Sequence, residues 1–371
     1  MALRALARVN LAAVERNVAL LRSRLTGGAA LCAVVKADGY GHGAVEVARA
    51  ALAGGASWLA VATATEAAEL RQAEIDARML VLGAVSADEL PVALGSGADL
   101  VAWSDEFVES IVAARSPARV HVELDSGMGR LGTRSTASAL AVAARIAAEP
   151  SLELAGAMTH FATADGDQPF VHAQLERFDP FAIELGRLYP GITIHAANSA
   201  ATLREPASHY DLVRCGIAIY GCDPMNADPG AHGLEPALEL TSYVAAVKRA
   251  EAGDSAGYGR RFIAGRPTWI GTLPIGYADG IRRAFTNNCD VLVGGRRYPL
   301  IGTVSMDNIT IDLGPEPLVQ VGECATIIGV DGDQRQTVED LAHRIDTINY
   351  ELTSGLSARV PREYHRDGAP A

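Results

Sequence analysis

ALCAVVKADGYGHG, residues 30–43, is an apolar, β-branched run that stops at a lysine and then turns on glycine. Such a run reads as a buried strand, and the glycine cluster as its end. Downstream, GAVEVARAALAGG (43–55) spaces its apolar residues at helical period. The same couplet recurs: strand-like WLAVA, MLVLG, DLVAW, RVHVEL, LELAGAM, ITIHA and DLVRCG alternate with ATEAAELRQAEI, SADELPVALGSG, SDEFVESIVAAR, TASALAVAARIAAE and FVHAQLERFDPFAIELGRLY. Counting the first, eight short strands alternate with helical segments between about residues 29 and 217. That pattern predicts an α/β fold with an N-terminal (β/α)8 TIM-type barrel. A doubly wound open sheet is the runner-up, weakened because no clean G-x-G-x-x-G follows a strand. LAAVERNVALLRSRL (11–25) has helical spacing, with Asn10 as its cap.

DPMNADPGAHGLEPA (223–237) has no periodicity and reads as a linker. Beyond it come short β runs broken by Gly and Pro, with one helical piece, QTVEDLAHRI. The expected division is a barrel over residues 1–230 and a mainly antiparallel β-domain over 231–371.

The 371 residues are 49% apolar, enough for a large core, and no apolar run is long enough to span a bilayer. The formal charge of −12 has the wrong sign for a nucleic-acid partner. Five scattered cysteines without C-x-x-C argue against a disulfide framework. MALRALARVNLAAVERNVALL carries Arg8, Glu15 and Arg16 and does not read as a signal peptide, so a cytoplasmic location is expected. No H-x-x-x-H pair with a carboxylate partner is visible, and no metal is assigned.

Only two of the 32 basic side chains are lysines, Lys36 and Lys248. A compositional bias toward arginine explains the count. A retained lysine can nonetheless do what guanidinium cannot, namely lose its proton and attack a carbonyl. Lys248, in YVAAVKRA, reads as a solvated strand residue, whereas Lys36 ends a barrel strand, where active sites of this fold lie. The other predicted strand ends carry Glu123, Arg130, His160, His195, Ser199, Arg214, Gly216 and Ile217. Each alone could be an ordinary loop residue; gathered on one rim around a rare lysine they suggest a site.

The stretches AVVKADGYGHG (33–43), ELDSGMGRLG (123–132), THFATADG (159–166), HAANSAATL (195–203), VRCGIAIYG (213–221), SAGYGRRF (255–262), PIGYADGIRR (274–283), GTVSMDNITID (302–312) and TINYELTSGLSARVPREY (347–364) are, in this order, similar to those of alanine racemase. This is a fold-type III enzyme dependent on pyridoxal 5'-phosphate. The resemblance covers nearly the whole chain. It implies interconversion of L- and D-alanine by two bases, Lys36, which condenses with the cofactor aldehyde, and Tyr258 on the opposite face. It implies that His160 partners Tyr258 and that Arg214 faces the pyridine nitrogen. Tyr40, Ser199, Gly216, Ile217 and Tyr350 are implied at the phosphate, Arg130 and Met306 at the substrate carboxylate. A homodimer with shared sites and a role in D-alanine supply for the cell wall also follow from the resemblance. One departure stands out: where many members have a lysine that becomes carbamylated, this chain has Glu123, expected to supply the negative charge that orients Arg130. Two alternatives remain in enzyme chemistry: another small amino acid such as serine as substrate, or a decarboxylase of the same fold type. The latter wants a carboxylate where Arg214 stands. A non-catalytic cofactor-binding barrel has no use for a domain carrying Tyr258 and Met306.

Overall fold

Strand β1 (Leu6–Asn10) is followed by eight strands, β2 (Ala30–Val34), β3 (Trp58–Val61), β4 (Arg78–Val81), β5 (Leu100–Ala102), β6 (Ala118–Glu123), β7 (Leu152–Met158), β8 (Thr193–His195) and β9 (Leu212–Cys215). These coordinates are a computed structural model, which describes residues 3–316 and 318–371. The eight strands β2–β9 pair in parallel in the order β4-β3-β2-β9-β8-β7-β6-β5. Asp99, just ahead of β5, closes the ring: its amide donates to Met79 O at 2.7 Å and its carbonyl accepts from Val81 N at 2.9 Å. The (β/α)8 expectation is met, and all eight predicted strands form. Their near-continuous burial (β3 and β9 throughout, all but the first residue of β2 and β4) reflects a parallel sheet covered on both faces.

The helices start where the local chemistry satisfies their first amides. Thr63 and Glu66 form a reciprocal capping box ahead of Ala64–Gln72. Ser104, Ser135 and Asp167 accept from the third amide of the helices that follow them. The glycine-rich turn after β2 is less ordinary. Ala37, Asp38, Gly39, Tyr40 and Gly41 all have positive φ, between 51° and 82°. Three of these are not glycine, and each costs about 1–2 kcal/mol in this region. Gly39 N to Val35 O (2.9 Å), Gly41 N to Ala37 O (3.0 Å) and Gly43 N to Asp38 O (2.8 Å) hold the left-handed turn, and Glu66 accepts from Ala37 N at 2.7 Å.

The chain divides into two compact units, Val14–Met225 and a second made of the segment up to Ala13 with Asn226–Ala371. This corrects the expected 1–230 and 231–371 boundaries at the N-terminus. β1 forms its backbone bonds with strands distant in sequence: antiparallel to β10 (Leu238–Tyr243) and parallel to Arg362–Arg366. The second unit is otherwise antiparallel, as expected. β10 and Ile309–Gly314 alternate buried and half-buried residues, the period-2 pattern of a sheet with one covered face. Arg4 donates twice to the fully buried Asp279, at 2.6 and 2.9 Å, and so anchors the turn Tyr277–Asp279.

Candidate active site

Lys36 stands two residues past the end of β2 and is half-buried; burial and the positive charge of Arg130 push its amine below the ordinary lysine range, against Glu66. A lowered lysine is closer to its nucleophilic, basic form at neutral pH. Tyr40, at the end of the left-handed turn, is 9% exposed and lies over Gly216: a Cβ built at Gly216 would stand 2.3 Å from its Oη. Ser199 Oγ accepts from the Gly216 amide at 2.9 Å and lies 3.5 Å from Ala218 N. Tyr40, Ser199, Gly216 and the adjoining Ile217 therefore converge. The cradle is lined by neutral donors and needs a glycine, which fits a phosphate group.

Arg214 is 3% exposed and is held through both of its terminal nitrogens. Its Nη1 lies 2.7 Å from His195 Nδ1, and its Nη2 donates to Thr159 O (2.8 Å) and Ala196 O (3.0 Å) and lies 3.2 Å from His160 Nδ1. Burial brings its guanidinium down to about 10, still charged at neutral pH. His160 is held well below the ordinary histidine range by burial and the charges of Arg214, Arg130 and Lys36, so it is neutral and accepts from Arg214. Gln174 Nε2 donates to His160 O and Ser126 Oγ, both at 3.0 Å.

Arg130 is exposed, in a loop that Asp125 organises by accepting from Gly127 N (3.0 Å), Gly129 N (2.9 Å) and Arg134 Nε (2.9 Å). Glu123 ends β6, is 4% exposed, and its Oε2 has no hydrogen-bond partner among the described residues. Burial pushes its carboxyl up to about 7, against the pull of Arg214 and Arg130. Between the ordinary value of 4.5 and about 7 the folded chain holds a proton that the unfolded chain releases. Stability from this group is therefore present below pH 4.5 and lost as pH rises toward 7. Glu123→Gln has no such loss. Relative to the wild type it is expected to gain on the order of 3 kcal/mol between pH 4.5 and pH 8. Paired denaturation curves across that range check this, and a difference that does not grow with pH sinks it.

The remaining expected residues lie in the second unit. Tyr258 opens the turn Tyr258–Arg260 and is 74% exposed, its carbonyl accepting from Thr303 Oγ1 at 2.6 Å. Ser305 O and Met306 O accept from Tyr277 N (2.9 Å) and Ala278 N (3.0 Å). Tyr258, Tyr277 and Met306 thus stand on adjoining loops with their side chains exposed. Tyr350 is half-buried in the helix Asn349–Ser354. Within the barrel unit the structure gathers Lys36, Tyr40, Arg130, His160, Ser199, Arg214, Gly216 and Ile217 at the C-terminal strand ends.

Sequence reasoning missed Glu66, which holds the amide after Lys36, although T-x-x-E at 63–66 signals a capping box. It also missed Asp99, His121 and Gln174; a polar residue inside RVHVEL was the available sign for His121.

The chain matches the models for the alanine racemase N-terminal domain over residues 9–224 and C-terminal domain over 237–364. It is 41% identical to an alanine racemase of Thermobifida fusca, over 96% of this chain and 97% of that protein. It is 42% identical to one of Frankia casuarinae, over 98% and 96%. Among solved structures it is similar to the alanine racemase of D-cycloserine-producing Streptomyces lavendulae, with a TM-score of 0.93, 36% identity and 98% of both chains covered.

Proposed function

The chain belongs to the alanine racemase family, and from that premise we propose that it interconverts L- and D-alanine, with Lys36 and Tyr258 handling the α-proton on opposite faces of the substrate. Bound pyridoxal phosphate supplies the electron sink that makes that proton removable. The observation that carries the reading is Lys36, one of two lysines, with its amine lowered by burial and Arg130 at the end of a barrel strand.

Lys36 holds the cofactor and, once its amine is free, takes or returns a proton. Tyr40, Ser199, Gly216, Ile217 and Tyr350 hold the phosphate. Arg214 donates toward the pyridine nitrogen and keeps its proton, which weighs against the decarboxylase alternative. Arg130 orients the substrate carboxylate with the Met306 backbone amide. His160 partners the Tyr258 hydroxyl. The exposed side chains of Tyr258 (74%), Met306 (51%) and Tyr277 (41%) suit a head-to-tail homodimer in which they complete the site of the other subunit. No helix among the described residues is long and apolar enough to cross a membrane, and we assign the enzyme to the cytoplasm, supplying D-alanine for the cell wall.

The test is incubation of purified protein with L-alanine in deuterated water, with and without added pyridoxal phosphate. Decay of circular dichroism with deuterium entering the α-position is expected. Carbon dioxide release, or no exchange with the cofactor present, overturns the reading.

A further inference from the structure

A line of buried polar groups crosses the interior of the barrel. Asp99 Oδ2 lies 3.1 Å from His121 Nε2, His121 Nδ1 lies 2.8 Å from His195 Nε2, and His195 Nδ1 lies 2.7 Å from Arg214 Nη1. Asp99, His121 and His195 are 0% exposed. Barrel interiors are ordinarily filled by layers of branched apolar side chains, and buried polar groups are costly unless every one is satisfied. This file is satisfied, and room is made for it. A Cβ at Gly156 would come within 2.3 Å of His121 Nδ1 and 2.5 Å of Thr193 O.

The direction of each hydrogen bond is fixed from both ends. Arg214 has donors only, so His195 Nδ1 accepts and its proton sits on Nε2. An ionised Asp99 has acceptors only, so His121 carries its proton on Nε2 and presents a bare Nδ1 to His195. The two deductions meet without conflict. Burial alone would raise the Asp99 carboxyl, yet its hydrogen bond from His121, with Arg78 and Arg119, holds it below the ordinary range. Arg119 Nε (2.6 Å) and Arg78 Nε (3.0 Å) complete its partners. Burial and Arg214 keep His195 well below the ordinary histidine range, and burial lowers His121 as well, so both rings are neutral.

We propose that Asp99 and His121 are positioning residues for the racemase reaction: acting through His195, they fix the tautomers that hold the Arg214 guanidinium in a single orientation. The inference rests on the reading that Arg214 serves the cofactor. It extends the machinery to the barrel closure, where Asp99 also supplies the backbone bridge between β4 and β5.

Two-bond nitrogen–proton correlation spectra of the 15N-histidine-labelled holoenzyme read the tautomers directly. The expected wild-type result is two neutral rings, His121 and His195, each with its proton on Nε2. A proton on Nδ1 of His195, or a cationic ring, overturns the proposal and needs no variant. In Asp99→Asn, with the amide oxygen kept for Arg119 and the NH2 at the Oδ2 position that Arg78 and His121 share, His121 Nε2 has to accept, so the His121 proton moves to Nδ1 and donors oppose one another along the line. There kcat is expected to fall about a hundredfold, as misplacement at a distance can cost, with KM for alanine changed by less than about threefold. His121→Phe keeps the ring packed on Trp58 and covers the case in which Asp99→Asn does not fold. Combined, the two substitutions are expected to cost no more than one alone. Variants that fold, change the His195 tautomer and keep wild-type kcat overturn the proposal. Borohydride trapping separates the two readings. If pyridoxal phosphate labels Lys36 in the wild type and variants alike, a failure belongs to the relay; if it does not label Lys36 even in the wild type, the cofactor reading fails, and the proposal with it.

Discussion

Lys36→Ala is expected to lower kcat for racemisation by roughly ten-thousandfold or more, the scale seen when a covalent catalyst loses its reacting group. Two duties fall together at this position. In the proposed reaction the amine both anchors the cofactor and carries the proton on one face of the substrate. Lys248 cannot substitute, because it sits exposed on a strand of the second unit. Lys36→Arg should be as inactive as the alanine variant, since guanidinium keeps its charge and neither condenses nor accepts a proton at neutral pH. A small primary amine such as methylamine should restore part of the Lys36→Ala activity by taking over the proton transfer. Three measurements check this: initial rates with each enantiomer, rescue by amine, and borohydride reduction followed by peptide mapping. Lys36→Ala protein that keeps its fold and kcat within about tenfold of wild type sinks the assignment, as does label on another amine.

Residues 29 to 217 were legible because each barrel element carries its own signal. WLAVA reads as an unbroken apolar run because its strand is buried on both faces, and Thr63, Ser104, Ser135 and Asp167 mark helix starts by local hydrogen bonds. What escaped depends on partners far along the chain. LARVN looks like the lead-in to a helix; it is a strand because β10 and Arg362–Arg366 offer it backbone partners more than two hundred residues away. The left-handed turn at Ala37–Gly41 was visible only as excess glycine, since nothing local announces positive φ at Ala37, Asp38 and Tyr40. It is held by contacts such as Glu66 to Ala37 N.

The same distinction separates the parts of the candidate site. Lys36, Ser199 and Arg214 stand at strand ends, so locating the strands located them. His121 lies in the middle of β6, where alternation makes a polar residue look solvent-facing. Closure of the sheet turns that side inward, toward His195, 74 residues on. A sequence pattern carries the period of a strand but not the curvature that decides which face is inside.

Tyr258→Phe separates the two bases, and its effect is expected to be about a thousandfold on kcat, within the range for loss of a general acid–base group. Phenylalanine keeps the ring in its exposed turn and removes only the hydroxyl. Racemisation rates alone cannot say which face was lost. The two enantiomers have equal free energy, so the equilibrium constant is one, and kcat/KM must fall equally in both directions for any variant. Exchange is not bound in this way. With Lys36 intact, one enantiomer should still trade its α-proton for solvent deuterium without inverting, while the other should lose exchange along with racemisation. Proton NMR of the α-signal for each enantiomer, separately incubated in deuterated water, reads the difference. Equal loss of exchange from both means that Tyr258 acts on binding or assembly rather than on one face. Unchanged racemisation means the second proton carrier is another group.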